Sequence, residues 1–141
     1  MRLVPVNKEN IAFYKQFENS EDLALYMSRI YPNHESSYLK LMYIEEDQRY
    51  IGSIWLEGKD IHSVILGVFI ADPAYRDKGV GKLAIQQMIT MAESDGIHVI
   101  TLNVRAENVR GRKVYTACGF KTKKRFKKEN GIEAFSMELE L

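Results

Sequence analysis

Gly79 and Gly81 sit among Arg76, Lys78 and Lys82, just where a run of β-branched and aromatic residues, Val64 to Ile70, gives way to a long apolar-periodic segment. Glycine lets the backbone turn tightly and come close to a ligand with no Cβ in the way. The first N–H groups of a helix have no intrahelical partner, and the helix dipole adds partial positive charge there. A helix start after such a turn therefore favours an anion, most often a phosphate. Three basic side chains reinforce that field. The arrangement predicts a phosphate-bearing ligand held mainly by main-chain amides, with the end of the preceding strand beside it.

Other chemistry is weaker in the residues. The string Gly79 to Ala84 also fits the loose dinucleotide fingerprint Gly-x-Gly-x-x-Gly/Ala. Three features argue against that nucleotide-binding reading: several antiparallel-looking strands precede the loop, no acidic residue ends the next strand at Asn103, and there is one βαβ unit only. A Walker A loop fails, because its first glycine would fall at Arg76 and its Ser/Thr at Leu83. His34, His62 and His98 lack metal-ligand spacing, and no metal is expected. Taken alone, Asn108 reads as a helix cap, Tyr115 as a core aromatic and Cys118 as a small buried residue, although an acyl-cysteine route is chemically conceivable.

The elements that position the glycine turn follow from periodicity. Leu3 to Val6 predicts a short strand. Asn7 is placed to cap a helix carrying Ile11, Tyr14 and Phe17, and Ser20 to start a second one with Leu23, Tyr26, Met27 and Ile30 on one face, closed by Pro32. Strands are expected over Leu39–Ile44 and Tyr50–Leu56, joined by the polar turn at 45–48, and over Ser63–Ala71. Gly67 inside the last of these suggests a bulge or a close approach to the backbone. The helix from about Gly79 to Asp95 turns Val80, Leu83, Ala84, Met88, Met91 and Ala92 inward and ends at Gly96. Val99 to Val104 then predicts a strand parallel to the one before the helix, and Asn108 to Gly119 a second helix. With Asn130-Gly131 as a two-residue turn, the C-terminal hairpin would set Phe126 opposite Phe135, Phe120 opposite Leu141, Lys128 opposite Glu133, Lys123 opposite Glu138 and Lys121 opposite Glu140. That pairing makes the basic run 121–128 a solvated face and not a nucleic-acid patch.

Composition bounds the class. The 141 residues carry a net charge of +1 and one cysteine. This is the size of one domain, 1–141, with room for a core. Near-neutral charge gives no reason to expect nucleic acid or an anionic membrane as partner. No stretch is apolar for long enough to span a bilayer, the N-terminus has no secretory-signal pattern, and the lone cysteine fits a reducing compartment, so a cytoplasmic location is expected.

With these residues in place, the chain resembles the GNAT superfamily of acyl-CoA-dependent N-acyltransferases. One block that carries the resemblance is Asp72 to Gly81, similar to the family's phosphate loop of Arg/Gln-x-x-Gly-x-Gly/Ala type. The other is Asn108 to Tyr115 with Gly119-Phe120, similar to Asn-x-x-Ala-x-x-Leu-Tyr-x-x-x-Gly-Phe, with Gly111 for the usual Ala and Val114 for the usual Leu. The resemblance implies an α/β fold: a twisted, mostly antiparallel sheet of six or seven strands with one parallel βαβ pair and helices on both faces. It implies acetyl-CoA as cosubstrate, with Arg76 and amides from Asp77, Lys78, Gly79, Val80, Gly81 and Lys82 at the pyrophosphate and Asn108 nearby. Main-chain groups of Phe69, Ile70 and Ala71 would pair with the pantetheine arm between splayed central strands. Tyr115 is implied as the acid that protonates the leaving thiolate. The acceptor would be an amine of unidentified kind.

The base is not given by the same likeness. Many members that acetylate protein N-termini carry Glu where this chain has Asn103, and Asn cannot take a proton from an ammonium. Glu57, His62 or a water chain could substitute. Tyr26, Tyr31, Trp55, Glu57 and Asn103 are the candidates for the acceptor side. A different class of protein, a catalytically weak acyl-CoA-binding or regulatory module, is the alternative that Asn103 supports. An exposed sheet edge or the C-terminal hairpin could support a homodimer.

Overall fold

The computed structural model describes residues 1–20, 23, 27, 29–33 and 35–141. Its centre is a seven-stranded sheet: β1 (Arg2–Pro5), β2 (Tyr38–Glu46), β3 (Arg49–Gly58), β4 (Ser63–Ile70), β5 (Val99–Arg105), β6 (Lys121–Lys127) and β7 (Glu133–Glu140), in the order β1-β2-β3-β4-β5-β7-β6. Every pairing is antiparallel except β4 with β5, which is parallel. Helix α1 (Val80–Ser94) makes the crossover between that pair, and α2 (Val109–Ala117) follows β5. The mixed sheet and single parallel pair agree with the architecture that the family resemblance implies.

Strand alternation sends side chains to two cores. On one face Ile54, Leu56, Leu66, Ile100, Leu102, Val104 and Met137 pack with Val80, Ala84, Ile85, Met88 and Ala92 of α1. Leu83, expected on that inward face, is half exposed, and Ile85 is buried instead. On the other face Tyr43, Trp55 and Phe69 pack with Tyr14, Phe17 and Leu23. Tyr14 and Phe17 lie on a 3₁₀ helix, Ile11–Asn19, where residues three apart share one side. Asn7 caps the turn before it, not the helix itself, its Oδ1 accepting from the Glu9 and Asn10 amides at 3.0 and 2.9 Å. Most of the helix expected after Ser20 lies outside the described residues, Tyr26 included.

Three local expectations are corrected. The β2–β3 turn is only Asp47-Gln48, both at positive φ (52° and 64°), as a two-residue hairpin loop requires. The C-terminal hairpin has a three-residue loop, 129–131: the Lys128 amide donates to Ile132 O at 2.9 Å, and Gly131 (φ 83°) donates to Lys128 O at 2.8 Å. The extra loop residue slips the register by one, and an irregularity between Thr122 and Lys124 slips it again. Phe126 therefore faces Ala134, Arg125 faces Phe135, Lys127 faces Glu133 and Lys121 faces Glu138. The charge neutralisation survives through side-chain reach, as Lys123 still meets Glu138 at 3.5 Å and Arg125 bridges Glu133.

The third concerns Gly67, where of the two expectations, a bulge or a close approach to the backbone, the second holds. Pairing of β3 with β4 runs through Trp55↔Gly67 with no register shift, so there is no bulge. A Cβ at Gly67 would lie 2.2 Å from the Trp55 indole, which shows that the glycine exists to let this ring lie flat across β4. Gly67→Ala should therefore cost about 1–3 kcal/mol in urea unfolding through overpacking. Most of that cost should vanish when the same substitution is made in a Trp55→Leu background; an equal cost in both backgrounds would show that the ring is not the cause.

Candidate active site

The parallel pair is joined at only three positions, Ser63↔Val99, Val64↔Ile100 and Ile65↔Thr101. Both strands continue, to Ile70 and Arg105, but without pairing. A cavity of about 580 Å³ opens there, lined by residues from both faces of the sheet. On the helix face it meets Val80, Gly81, Lys82, Ile85, Asn108, Val114 and Tyr115; on the opposite face it meets Leu23, Trp55, Phe69, Asn103 and Arg105. The gap is thus a passage through the sheet.

Alternation decides which backbone groups edge this gap. Ala71 N–H donates to Ile51 O at 2.7 Å, so residues 69 and 71 turn their N–H and C=O toward β3. Val68 and Ile70 turn theirs toward β5 and the gap. Of the expected trio Phe69, Ile70 and Ala71, only Ile70 has the right parity for strand-like pairing there, and Val68, which the sequence reading missed, has it too. The period of two was the available signal. Arg76 folds back on this strand, Nε and Nη2 donating to Ile70 O at 2.9 and 2.7 Å, and so fixes the strand's end.

The glycine turn has the form that an anion cradle needs. Gly79 is the N-cap of α1 at φ 81°, a left-handed conformation that suits glycine. A Cβ added at Gly81 would meet nothing within 4 Å, so the space over the first turn is open toward the cavity. Asp77, at φ 62°, is paired by Arg110 of α2 at 2.9 Å, which ties the loop to the start of the second helix. Lys82 lines the cavity and Lys78 does not. Asn108 caps α2, its Oδ1 accepting from Gly111 N at 2.9 Å. A Cβ at Gly111 would lie 2.7 Å from the Asn108 side-chain amide, so the glycine leaves the cap room.

Tyr115 stands on α2 at the helix-face wall, its ring 6.1 Å from that of Phe120. Desolvation raises its phenol to about 12, with the nearby Cys118 thiol a lesser cause. Cys118 does not line the cavity, and burial pushes its own thiol up, away from a reactive thiolate.

The acceptor-side candidates divide. Trp55 and Asn103 line the cavity; Tyr31 and Glu57 do not. Tyr31 stacks on Tyr14 at 4.8 Å and donates to Glu18 at 2.6 Å. Glu57 is buried and committed, bridged by the Arg29 guanidinium and accepting from the Asn33 amide at 2.7 Å. His62 stacks with His98 at 5.5 Å, away from the cavity. His34 lies outside the described residues. Among the described residues no His/Cys/Asp/Glu group could hold a metal, and no helix is long and apolar enough to cross a membrane. Arg29, Arg105, Lys128 and Glu107 also line the cavity, and sequence reasoning passed over them.

Similar folds occur among solved acetyltransferases. A spermidine N-acetyltransferase from Vibrio cholerae, in complex with CoA and spermine, superposes with a TM-score of 0.81 at 17% identity, covering 99% of this chain and 94% of that one. Aminoglycoside acetyltransferase AAC(6')-Ib, in complex with coenzyme A and kanamycin, gives 0.80 at 13% identity over 98% and 93%. Salmonella typhimurium yncA, with acetyl-CoA, gives 0.77 at 17% identity over 100% and 94%. At such identities the likeness is one of fold. The sequence itself matches the acetyltransferase (GNAT) domain over residues 5–141, nearly the whole chain, and the protein accordingly belongs to the GNAT acetyltransferase family.

Proposed function

We propose that this domain moves an acetyl group from acetyl-CoA to an amine, with the donor bound on the helix face and the acceptor entering from the other. The observation that carries this reading is the passage through the sheet: an open glycine-rich helix start at one end, unpaired strand edges in the middle and a separate wall beyond. The amides at the start of α1 suit a pyrophosphate. Val68 and Ile70 suit an extended, amide-bearing arm that pairs like an added strand. CoA or acetyl-CoA and amines such as spermine or kanamycin are what the structurally similar acetyltransferases hold.

Transfer then proceeds by direct attack. The amine lone pair bonds to the thioester carbonyl carbon, a backbone N–H stabilises the oxyanion, and the C–S bond breaks with the electron pair leaving on sulfur. Tyr115 supplies the proton. A phenol near 12 is a weaker acid than a solvated thiol of about 8.5, but the desolvation that raises the phenol also raises a thiolate formed beside it, which narrows the mismatch. Beside Asn103 the described strand residues offer no carboxylate that lacks a partner, since Glu57 is held by Arg29. In this reading the acceptor reacts as the fraction that has already lost its proton to water.

Three outcomes test this. Tyr115→Phe should lower kcat by about 10²-fold or more while leaving the calorimetric Kd for acetyl-CoA unchanged; an unchanged kcat removes its role as acid. Gly81→Val should leave the thermal midpoint equal or higher, because valine has the better helix propensity and the space is open, yet weaken coenzyme A binding at least tenfold. Tight binding by that variant would contradict the cradle. In pH–rate profiles kcat/KM should rise tenfold per unit up to the acceptor's own pKa and shift when the acceptor is changed. Because the Tyr115 phenol stays protonated until about 12, no falling alkaline limb should appear below pH 10. Tight acetyl-CoA binding with no thiol release on any amine would favour the binding-module alternative.

A further inference from the structure

Asp77 is out of keeping with its surroundings. It lies in the turn before α1, two residues ahead of the Gly79 N-cap, among Arg76, Lys78 and Lys82. A carboxylate so close to an anion cradle opposes the ligand by charge, in the same field that the three basic residues strengthen. Its backbone is held at φ 62°, a left-handed conformation that glycine and asparagine also adopt. Either would serve the turn without the charge. The turn geometry alone therefore does not explain the acid.

What the carboxylate meets is Arg110. The guanidinium Nε stands 2.9 Å from Asp77 Oδ1, and the two side chains are 52% and 63% exposed. Ion pairs of such exposure add little to stability, so one partner is exchanged for another at small cost. Both residues border the cavity. Asp77 belongs to the limb that leads from β4 to α1, and Arg110 to the first turn of α2, which follows β5. The bridge thus ties together the two limbs that leave the unpaired ends of the parallel strands. It also holds the guanidinium beside the turn where the first amides of α1 open to the cavity. That fork of N–H donors suits phosphate oxygens as well as carboxylate ones.

We propose that Arg110 is a further ligand of the coenzyme A pyrophosphate, and that Asp77 holds its guanidinium in position until the pyrophosphate displaces the carboxylate. This rests on the acyl-CoA-binding part of the reading above, to which it adds a binding residue and a competing group. The doubly charged pyrophosphate, already drawn by the α1 amides, offers the fork more oxygen and more charge than one carboxylate does. Asp77 keeps Arg110 preorganised, but the bridge must break when the cofactor binds. The displaced carboxylate is exposed and returns to water, so no charge is left buried and unpaired. Asp77 therefore lowers affinity, and Arg110 raises it.

Calorimetric titration of the full chain with coenzyme A and with dephospho-coenzyme A, which keeps the pyrophosphate, tests this. Asp77→Asn retains the left-handed turn without the charge and should tighten coenzyme A binding about three- to tenfold. Arg110→Gln should weaken it about tenfold or more. Opposite signs are what a competing pair produces; a bridge that only braced the two limbs would make both variants bind more weakly. The cost of losing Arg110 should be larger in the Asp77→Asn background than in the parent chain, because there the guanidinium has no bridge to give up. Both ligands should show the same changes. Thermal midpoints establish that each variant is folded, and Arg110→Lys, a point charge without the fork, should recover only part of the affinity. Weaker binding by Asp77→Asn, unchanged binding by Arg110→Gln, or a smaller Arg110 cost in the Asp77→Asn background overturns the inference, while binding of coenzyme A by the parent chain leaves the acetyl-transfer reading standing. An Arg110 effect that disappears with dephospho-coenzyme A overturns the assignment to the pyrophosphate. A parent chain that binds no coenzyme A overturns both.

Discussion

The structure depends on a failure of pairing. After Ile65↔Thr101 the two parallel central strands stop exchanging hydrogen bonds while both run on, and the sheet opens in its middle. Backbone N–H and C=O groups away from water are costly when unpaired, so such an opening persists only if other groups take them or a ligand does. Arg76 takes one, the Ile70 carbonyl, from the turn that leads to the open start of α1. The strand edge and the cradle are therefore mechanically one unit.

The opening separates two jobs onto two faces. On the helix side, α1 is held by an apolar stripe and leaves its first turn uncovered, and α2 brings Tyr115 against the same cavity. On the other side, an aromatic core built on Tyr14, Tyr43, Trp55 and Phe69 supports a wall of different chemistry. Tyr14 anchors that core, with its hydroxyl 2.6 Å from Ile30 O and 2.8 Å from Ser53 Oγ. Gly67 is where the two faces meet. Its missing side chain gives Trp55 the room to lie beside the gap, so a packing requirement in one core shapes the side of the passage opposite the helices.

Much of this was legible in the residues. The strand–turn–helix around Gly79 and the cap at Asn108 are local signals, written in glycine, asparagine and apolar period, and local signals survive folding. Gly67 was correctly singled out, yet whether it served a bulge or a close approach depended on Trp55, twelve residues earlier and across a strand pair. The C-terminal register failed for a similar reason: Asn130-Gly131 suits a two-residue turn, but one more residue in the loop moves every opposite pair, and sequence contains no count of loop residues. Parity along β4 was readable in principle, since only alternate residues can edge a gap: Val68 and Ile70 face it, whereas Phe69 and Ala71 turn to β3. The cavity wall opposite the helices was the least legible, because Arg29, Arg105 and Lys128 come from three separate segments that meet only in the folded chain.

The central claim is that the gap between β4 and β5 receives an extended acyl-CoA arm by main-chain pairing. Residue-resolved amide hydrogen exchange, with and without acetyl-CoA, tests it most directly. The account predicts that Val68 and Ile70 gain protection on binding while Phe69 and Ala71, already turned to β3, do not change, and that the amides of Gly79 to Lys82 slow together with the first pair. Protection that ignores this alternation, or exchange at Val68 and Ile70 unaffected by saturating acetyl-CoA, would contradict it.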